Sequence, residues 1–179
     1  MEKIVLFSDR ERSQAVRKEL KGLGLKRHQY SIKSRNCSAT TVIIKDLSID
    51  KDTIEKALLK FESISYDNYT GEILQGANIY IFVEYDWKIL ADATEANKTK
   101  AKEIIQSSKE SHLVLEDGKV LVFFRDNYRG QELFNLYMRT KEGLPEGRIT
   151  QGTQWMIEEA LARRMALLNG QIKEIKKIA

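Results

Sequence analysis

The chain has 179 residues, of which 42% are hydrophobic and 31% are charged, a balance typical of a folded globular protein rather than a disordered one. Its formal net charge is +4, and its single cysteine, Cys37, excludes an intramolecular disulfide and a thiolate metal cluster. Because no stretch has the character of a signal peptide or a membrane span, we expect a cytoplasmic protein with no membrane contact.

The N-terminal half predicts two helices and four strands. The opening "KIVLF" is either a short strand or an apolar arm. Ser8 and Glu11 form a capping-box pattern that begins the first helix, and Gly22 and Gly24 end it. The next elements are strands in "HQYSIKSR" and "TVIIKD", a helix over "SIDKDTIEKALLKFES", and strands in "ISYD" and "NIYIFVEYD". This order predicts an α-β-β-α-β-β sandwich over residues 1–87, with two helices on one side of a sheet.

The pattern changes near Trp87, and we place a domain boundary at residues 87–92. A polar helix over "DATEANKTKAKEIIQSSKE" is expected to begin with Asp92 and Glu95. "HLVLEDGKVLVFF" predicts a hairpin, because Asp117-Gly118 suits a type I′ turn. Two more helices are predicted over "YRGQELFNLYMRTKEG" and "TQWMIEEALARRMALLNGQIKEIKKIA". We therefore predict that residues 92–179 form a helix-hairpin-helix-helix domain, which is a helical region with one β-hairpin. The whole chain is predicted to be α+β.

Charge is segregated along the N-terminal half. Residues 10–35 contain nine basic and two acidic residues, whereas residues 46–86 contain three basic and nine acidic ones. A phosphate-binding face is one interpretation, with Tyr30 or Tyr66 available for base stacking. The candidate nucleic-acid-binding residues are Arg17, Lys21, Lys26, Arg27, Lys33 and Arg35. The alternative is that the two halves neutralise each other through ordinary surface pairs. A second basic cluster lies further along the chain at Lys98, Lys100, Lys102 and Lys109.

Catalytic motifs are sparse. The sequence has no Walker A, GxSxG or HExxH pattern, and Cys37 lacks an evident base partner. One possibility is a Mg²⁺-dependent phosphodiesterase that uses strand-end carboxylates. Its candidate residues are Asp46, Asp67, Glu72, Glu84 and Asp86. The other is metal-free RNA cleavage by His28, Tyr30 and Lys33. Without such an activity, no metal or cofactor is expected.

Five motifs stand out in residues 14–87: "VRKELK" at 16–21, "YSIKS" at 30–34, "VIIKD" at 42–46, "FE" at 61–62, and "YDNYTGEILQGANIYIFVEY" at 66–85. Together they resemble the large polyvalent protein-associated domain 29 family. The one departure is Ala77, where the family pattern has a second glycine after Gly76. The resemblance implies a protein of phages, plasmids or integrative elements, and the whole chain resembles an anti-CRISPR protein.

The resemblance implies an inhibitor of host defence, whose partners are a CRISPR effector nuclease of the bacterial host, its guide RNA, or both. Asp67, Tyr69 and Glu72 stand in the acidic half and are the expected partner-binding residues. Two alternatives stay open: a ribonuclease that cleaves the guide RNA, and an accessory module of a conjugation system. The sequence carries no signal for an oligomeric state.

Overall fold

A computed structural model describes residues 8–35, 38–74, 76, 78–168 and 171–178. The "KIVLF" segment and Cys37 lie outside them. The chain divides into two compact units, Met1–Asp86 and Trp87–Ala179. Helices and sheets occur in both, so the α+β class is confirmed. Within the described residues no helix combines the length and apolar character needed to cross a membrane.

The N-terminal unit is a three-stranded sheet with two helices on one face. Its elements are α1 (Asp9–Gly22), β1 (Tyr30–Arg35), β2 (Ala39–Ile44), α2 (Lys51–Leu58) and β3 (Tyr80–Tyr85), with 3-10 turns at Arg27–Gln29 and Leu59–Phe61. The strand order is β1-β2-β3; β1 and β2 are antiparallel, whereas β2 and β3 are parallel.

Side-chain caps begin both helices of this unit. The Ser8 hydroxyl accepts the Glu11 amide as expected, and the Asp50 carboxylate accepts the amides of Asp52 and Thr53. The buried residues of each helix recur at helical spacing and form one apolar face, which packs against the sheet. The core they form contains Val16, Leu20, Val42, Ile44, Ile54, Leu58, Phe61 and Val83.

The predicted strand "ISYD" is not a strand of this sheet. Only isolated bridges occur there, joining Ser63 to Ile79 and Tyr66 to Ile73. Since β2 and β3 are parallel, the chain must cross over between them, and α2 with the following loop makes that crossover. On the outer edge of β3, the Glu62 carboxylate accepts the Ile81 amide at 3.3 Å, which protects part of that edge from pairing with another chain.

The C-terminal unit is a five-stranded antiparallel sheet packed against two helices, and not a helical region with one hairpin. Its elements are α3 (Trp87–Ser107), β4 (Glu110–Leu115), β5 (Val120–Tyr128), β6 (Gln131–Arg139), β7 (Pro145–Gly152), α4 (Gln154–Leu167) and β8 (Ile172–Ile178). The strand order is β7-β6-β5-β4-β8. Since α3 begins at Trp87, Asp92 and Glu95 lie inside the helix and do not cap it.

The helix predicted over "YRGQELFNLYMRTKEG" is wrong, because residues 131–139 form β6. Its buried Phe134 and Leu136 are two apart and lie in the core shared with the helices. Leu133 and Tyr137 fall on the opposite side, so the apolar residues obey the period of a strand. Aromatic and aliphatic side chains on both faces hid this alternation.

The last helix was predicted to continue through Ile175, but α4 ends at Leu167 and residues 172–178 form β8 beside β4. Ile172 and Ile175 are three apart, a spacing that suggested a helix. The register between β4 and β8 shifts at Val114/Leu115. This irregularity lets both isoleucines pack against the same core despite the odd spacing.

Hairpin turns in this unit also differ from expectation. The loop between β4 and β5 has four residues, 116–119, and of these only Gly118 has a positive φ, 86°. It is therefore not a type I′ turn at Asp117-Gly118. The type I′ turn lies instead between β5 and β6, where Arg129 (φ 53°) and Gly130 (φ 80°) connect the paired residues Tyr128 and Gln131.

Arg129 carries backbone strain that can be relieved. A left-handed non-glycine residue costs roughly 1–2 kcal/mol, and asparagine tolerates this conformation better than arginine. Arg129 also places its guanidinium 5.2 Å from the Tyr128 ring centre, an exposed contact worth about 0.5 kcal/mol. We expect Arg129→Asn to raise the free energy of unfolding by about 0.5 kcal/mol. Thermal unfolding followed by the fluorescence of the two tryptophans, both of which belong to the C-terminal unit, measures it. Tyr128→Ala is the control for the ring contact, and a lower melting temperature for Arg129→Asn would contradict the assignment of strain.

Candidate nucleic-acid interface

The N-terminal sheet has two chemically different faces. Tyr30, Ile32 and Val42 point toward the helices and pack in or against the core. Because side chains alternate along a strand, the intervening residues occupy the other side, which we call the outer face. The described residues of the outer face are Ser31, Lys33, Ala39, Thr41, Ile43, Tyr80, Phe82 and Glu84. Both helices that contact this sheet thus lie on the opposite side from these residues.

Strand register arranges the outer face into rows. The register partners across β1, β2 and β3 are Lys33, Thr41 and Phe82 in one row; Arg35, Ala39 and Tyr80 in the next; and Ser31, Ile43 and Glu84 in the third. In the first row a basic residue lies on one edge strand, a small residue in the centre and an aromatic residue on the other edge strand. In the second row Ala39 in the centre lies beside Tyr80. The third row ends in a carboxylate.

The two aromatic rings of these rows lie next to each other on the outer face. Tyr80 and Phe82 are stacked, with ring centroids 6.1 Å apart and planes inclined by only 8°. Phe82 is 47% exposed, which is unusual for a large apolar side chain in a strand. An exposed aromatic face of this kind offers a surface on which an unpaired base can stack.

The dimensions of the rows suit a single-stranded nucleic acid. Lys33 and Phe82 are separated by two strand spacings, roughly 10 Å, and successive rows by roughly 6.6 Å along the strands. A base stacked on Phe82 would lie across Thr41, while the ammonium of Lys33 is exposed at the far edge to meet a phosphate. The small central residues leave room for the sugar between them. This combination of cations and aromatic side chains is what sequence-tolerant RNA and single-stranded DNA binding requires.

The other predicted cations occupy different places. Arg17 and Lys21 lie one turn apart on α1. Lys26 is the N-cap of the 3-10 turn before β1, and Arg27 is the first residue of that turn. All four are exposed, and within the described residues neither they nor Lys33 forms an ion pair with a carboxylate. Helix α1 packs on the inner side of the sheet, so its cations form a surface separate from the outer face.

One arginine of the basic segment is not on the surface. Arg12 is fully buried; its Nε donates to the Thr40 hydroxyl at 2.8 Å, and its guanidinium pairs with Asp9. The Ser34 hydroxyl lies 3.0 Å from that of Thr40 and 2.8 Å from that of Ser13. This polar network connects α1 to the β1–β2 hairpin and fixes the strand that carries Lys33.

Two of the carboxylates proposed for Mg²⁺, those of Asp46 and Asp67, accept local hydrogen bonds. Asp46 accepts the Ser48 hydroxyl at 2.6 Å and the Gln29 amide at 2.8 Å, and these hydrogen bonds lower its pKa. Glu84 is exposed on the outer face, and Asp86 directly follows β3, where its backbone amide donates to the Ile44 carbonyl. Across the described ranges, no three acidic, histidine or cysteine side chains converge in a way that could hold a metal ion.

The predicted partner-binding residues share one short loop, residues 66–73, closed by the Tyr66–Ile73 bridge. Tyr69 is at its tip and is 99% exposed, and Glu72 is exposed beside it. The Asp67 carboxylate accepts the amides of Thr70 and Tyr69, each at 2.8 Å, and this lowers its pKa. Asp67 therefore shapes the loop, whereas Tyr69 and Glu72 are presented to solvent.

We expect the Asp67 contribution to loop order to depend on pH. Because the folded-state pKa lies below the ordinary value of 3.8, the stabilisation is present above about pH 4 and is lost as the pH falls through the folded pKa. Asp67→Ala should increase hydrogen exchange at the Tyr69 and Thr70 amides severalfold at neutral pH. Glu72→Ala is the matched control and should leave them protected; equal effects of the two changes would contradict a capping role for Asp67.

The residues considered for RNA cleavage do not form a cluster. His28 is exposed in the 3-10 turn, Tyr30 packs against the core on the inner side of the sheet, and Lys33 is on the outer face. A different histidine has the kind of partner that a general base needs. His112 Nε2 lies 2.5 Å from Glu110 Oε1 on β4, beside Lys176 of β8 in register.

Sequence reasoning missed Tyr80 and Phe82 as site residues. Their alternation with Ile79, Ile81 and Val83 indicated a strand, but only the parallel pairing with β2 places them in rows with β1. The predicted stacking residue Tyr30 lies instead on the inner side.

Comparison of this chain with protein-family models, with curated proteins and with solved structures finds no match.

Proposed function

We propose that this protein inhibits an RNA-guided CRISPR effector by binding the guide RNA on the outer face of its N-terminal sheet. The observation that carries the proposal is the pair of rows that end in Phe82 and Tyr80, with Lys33 at the opposite edge of the first. Proteins that bind single-stranded RNA stack unpaired bases on aromatic side chains of a sheet and neutralise the backbone with cations.

The effector as target is supported by the resemblance of residues 14–87 to the polyvalent-protein domain and of the whole chain to anti-CRISPR proteins. A guide RNA is bound by a protein whose nucleic-acid channel is basic. The acidic loop with Tyr69 and Glu72 would meet such a basic protein surface, since complementary charge steers association. The outer face would then contact the RNA and the loop the effector.

The test uses a panel of RNA-guided effectors, each loaded with end-labelled guide RNA. We expect the protein to bind the loaded effector or the free guide in a pull-down, to reduce target DNA cleavage, and to leave the guide intact on a denaturing gel. The variant with both Lys33→Ala and Phe82→Ala should lose inhibition. Lys100→Ala, which changes an exposed lysine of α3, is the matched control.

Other outcomes would identify the alternatives. A shortened guide would indicate a ribonuclease, and EDTA in a parallel reaction would show whether its activity needs Mg²⁺. Absence of binding and of inhibition across the panel would overturn the proposal and favour an accessory role in conjugation.

A further inference from the structure

A pocket of about 220 Å³ lies between α3 and α4 of the C-terminal unit. Its lining residues are Lys98, Thr99, Lys102, Trp155, Glu158 and Glu159. Trp155 is 72% exposed, although indole rings are usually well buried. The volume is smaller than that of pockets for drug-sized ligands, so it suits one flat ring system rather than a whole dinucleotide.

The charges of the pocket favour a neutral ligand with both donors and acceptors. Two ammonium groups and two carboxylates line it, so it carries no excess charge for a free phosphate. Lys98 is already paired with Glu95 at 2.7 Å and with Glu159 at 3.4 Å. Lys102 forms no ion pair within the described part of the chain, which leaves its ammonium available as a donor.

Glu158 is the corresponding acceptor. Its Oε1 accepts the Gln154 amide at 2.7 Å, which fixes the orientation of the carboxylate. Its Oε2 has no hydrogen-bond partner among the residues that the structure describes. The pocket therefore combines an aromatic plane, a fixed carboxylate and a free ammonium.

We propose that this pocket binds a guanine base. Guanine presents two adjacent N–H donors, N1–H and N2–H, which a carboxylate accepts, and the acceptors O6 and N7, which an ammonium reaches. Glu158 takes the donors, Lys102 takes O6, and Trp155 stacks on the ring. Adenine offers an acceptor where guanine has N1–H, and it would face the Glu158 carboxylate unfavourably.

The inference does not rest on the outer face of the N-terminal unit, since all its residues belong to the C-terminal unit. The guanine has two possible sources, a free nucleotide and an unpaired guanosine in an RNA. Either would present the same base edge, so the experiment compares them directly.

The test exploits tryptophan fluorescence. The chain has two tryptophans, so Trp87→Phe leaves Trp155 as the single reporter. Titration with GMP should quench it saturably, whereas AMP at equal concentration should not. An oligouridine with one central guanosine, compared with uridine alone, shows whether RNA supplies the base. In either format Glu158→Gln should weaken guanine binding roughly 5- to 150-fold, the effect of losing about 1–3 kcal/mol.

Lys100→Ala is the control, because this lysine lies on α3 outside the pocket. Equal quenching by GMP and AMP would overturn the recognition of guanine and would show that bases only stack on Trp155. The absence of quenching by every guanine ligand would overturn the site itself. Circular dichroism of Glu158→Gln confirms that the helices persist. A negative result with guanine ligands would not affect the RNA-binding measurements on Phe82 variants. The two proposals are therefore tested separately.

Discussion

Replacing Arg12 with alanine is expected to destabilise the N-terminal unit by about 3–5 kcal/mol. Arg12 is fully buried, and its removal leaves a large cavity between α1 and the β1–β2 hairpin. It also takes the Nε–H donor away from the Thr40 hydroxyl and the cation away from Asp9. Arg12→Met fills more of the volume without a charge, so we expect it to cost less than Arg12→Ala.

Both tryptophans belong to the C-terminal unit, and whole-chain probes would mix two transitions. The change in stability of the N-terminal unit is therefore measured by hydrogen exchange at the amides of β2, which reports the free energy of opening of that unit. Arg10→Ala is the matched control, because Arg10 lies on the same helix and is exposed. A change below 1 kcal/mol for Arg12→Ala would show that the buried network does not hold the hairpin.

Phe82→Ala is expected to weaken binding of single-stranded RNA roughly 5- to 150-fold, the effect of losing about 1–3 kcal/mol of base stacking. The ring is 47% exposed and contributes little to the core, so the loss should appear in affinity rather than in stability. Fluorescence anisotropy of a labelled uridine-rich RNA measures it at several salt concentrations.

Lys33→Ala tests the other end of the same row. Removing one phosphate contact should lower affinity similarly across sequences and reduce the salt slope by roughly one. Tyr69→Ala is the matched aromatic control, since Tyr69 is on the loop and not on the sheet. If Tyr69→Ala weakens RNA binding as much as Phe82→Ala does, the outer face is not the RNA-binding surface.

Local sequence signals predicted the N-terminal elements well. Ser8, the glycines at 22 and 24, and the alternation in "NIYIFVEY" gave α1 and β3 nearly at their observed positions. The pairing of β2 with β3 could not be predicted, because parallel register depends on packing of the crossover rather than on neighbouring residues. Without that register, Phe82 and Lys33 are merely two residues of a basic and an acidic segment.

In the C-terminal unit, local sequence signals predicted the elements less well. Two predicted helical segments proved to be strands, in each case because an apolar spacing admitted both structures. Ile172 and Ile175 fit a helix until the irregular register with β4 is considered, and the Arg129-Gly130 turn lacks the asparagine that marks most type I′ turns. Tertiary pairing overrode local preference in both places.

The parallel pairing of β2 with β3 also determines when the outer face is complete during synthesis. Lys33 leaves the ribosome long before Phe82, and a parallel strand cannot add to the sheet until its crossover has been made. The nascent chain therefore carries its early cations before Tyr80 and Phe82 are placed beside them. A ribosome-bound fragment or a peptide from residues 8–44 would be strongly basic and would lack the side chains proposed to stack on bases.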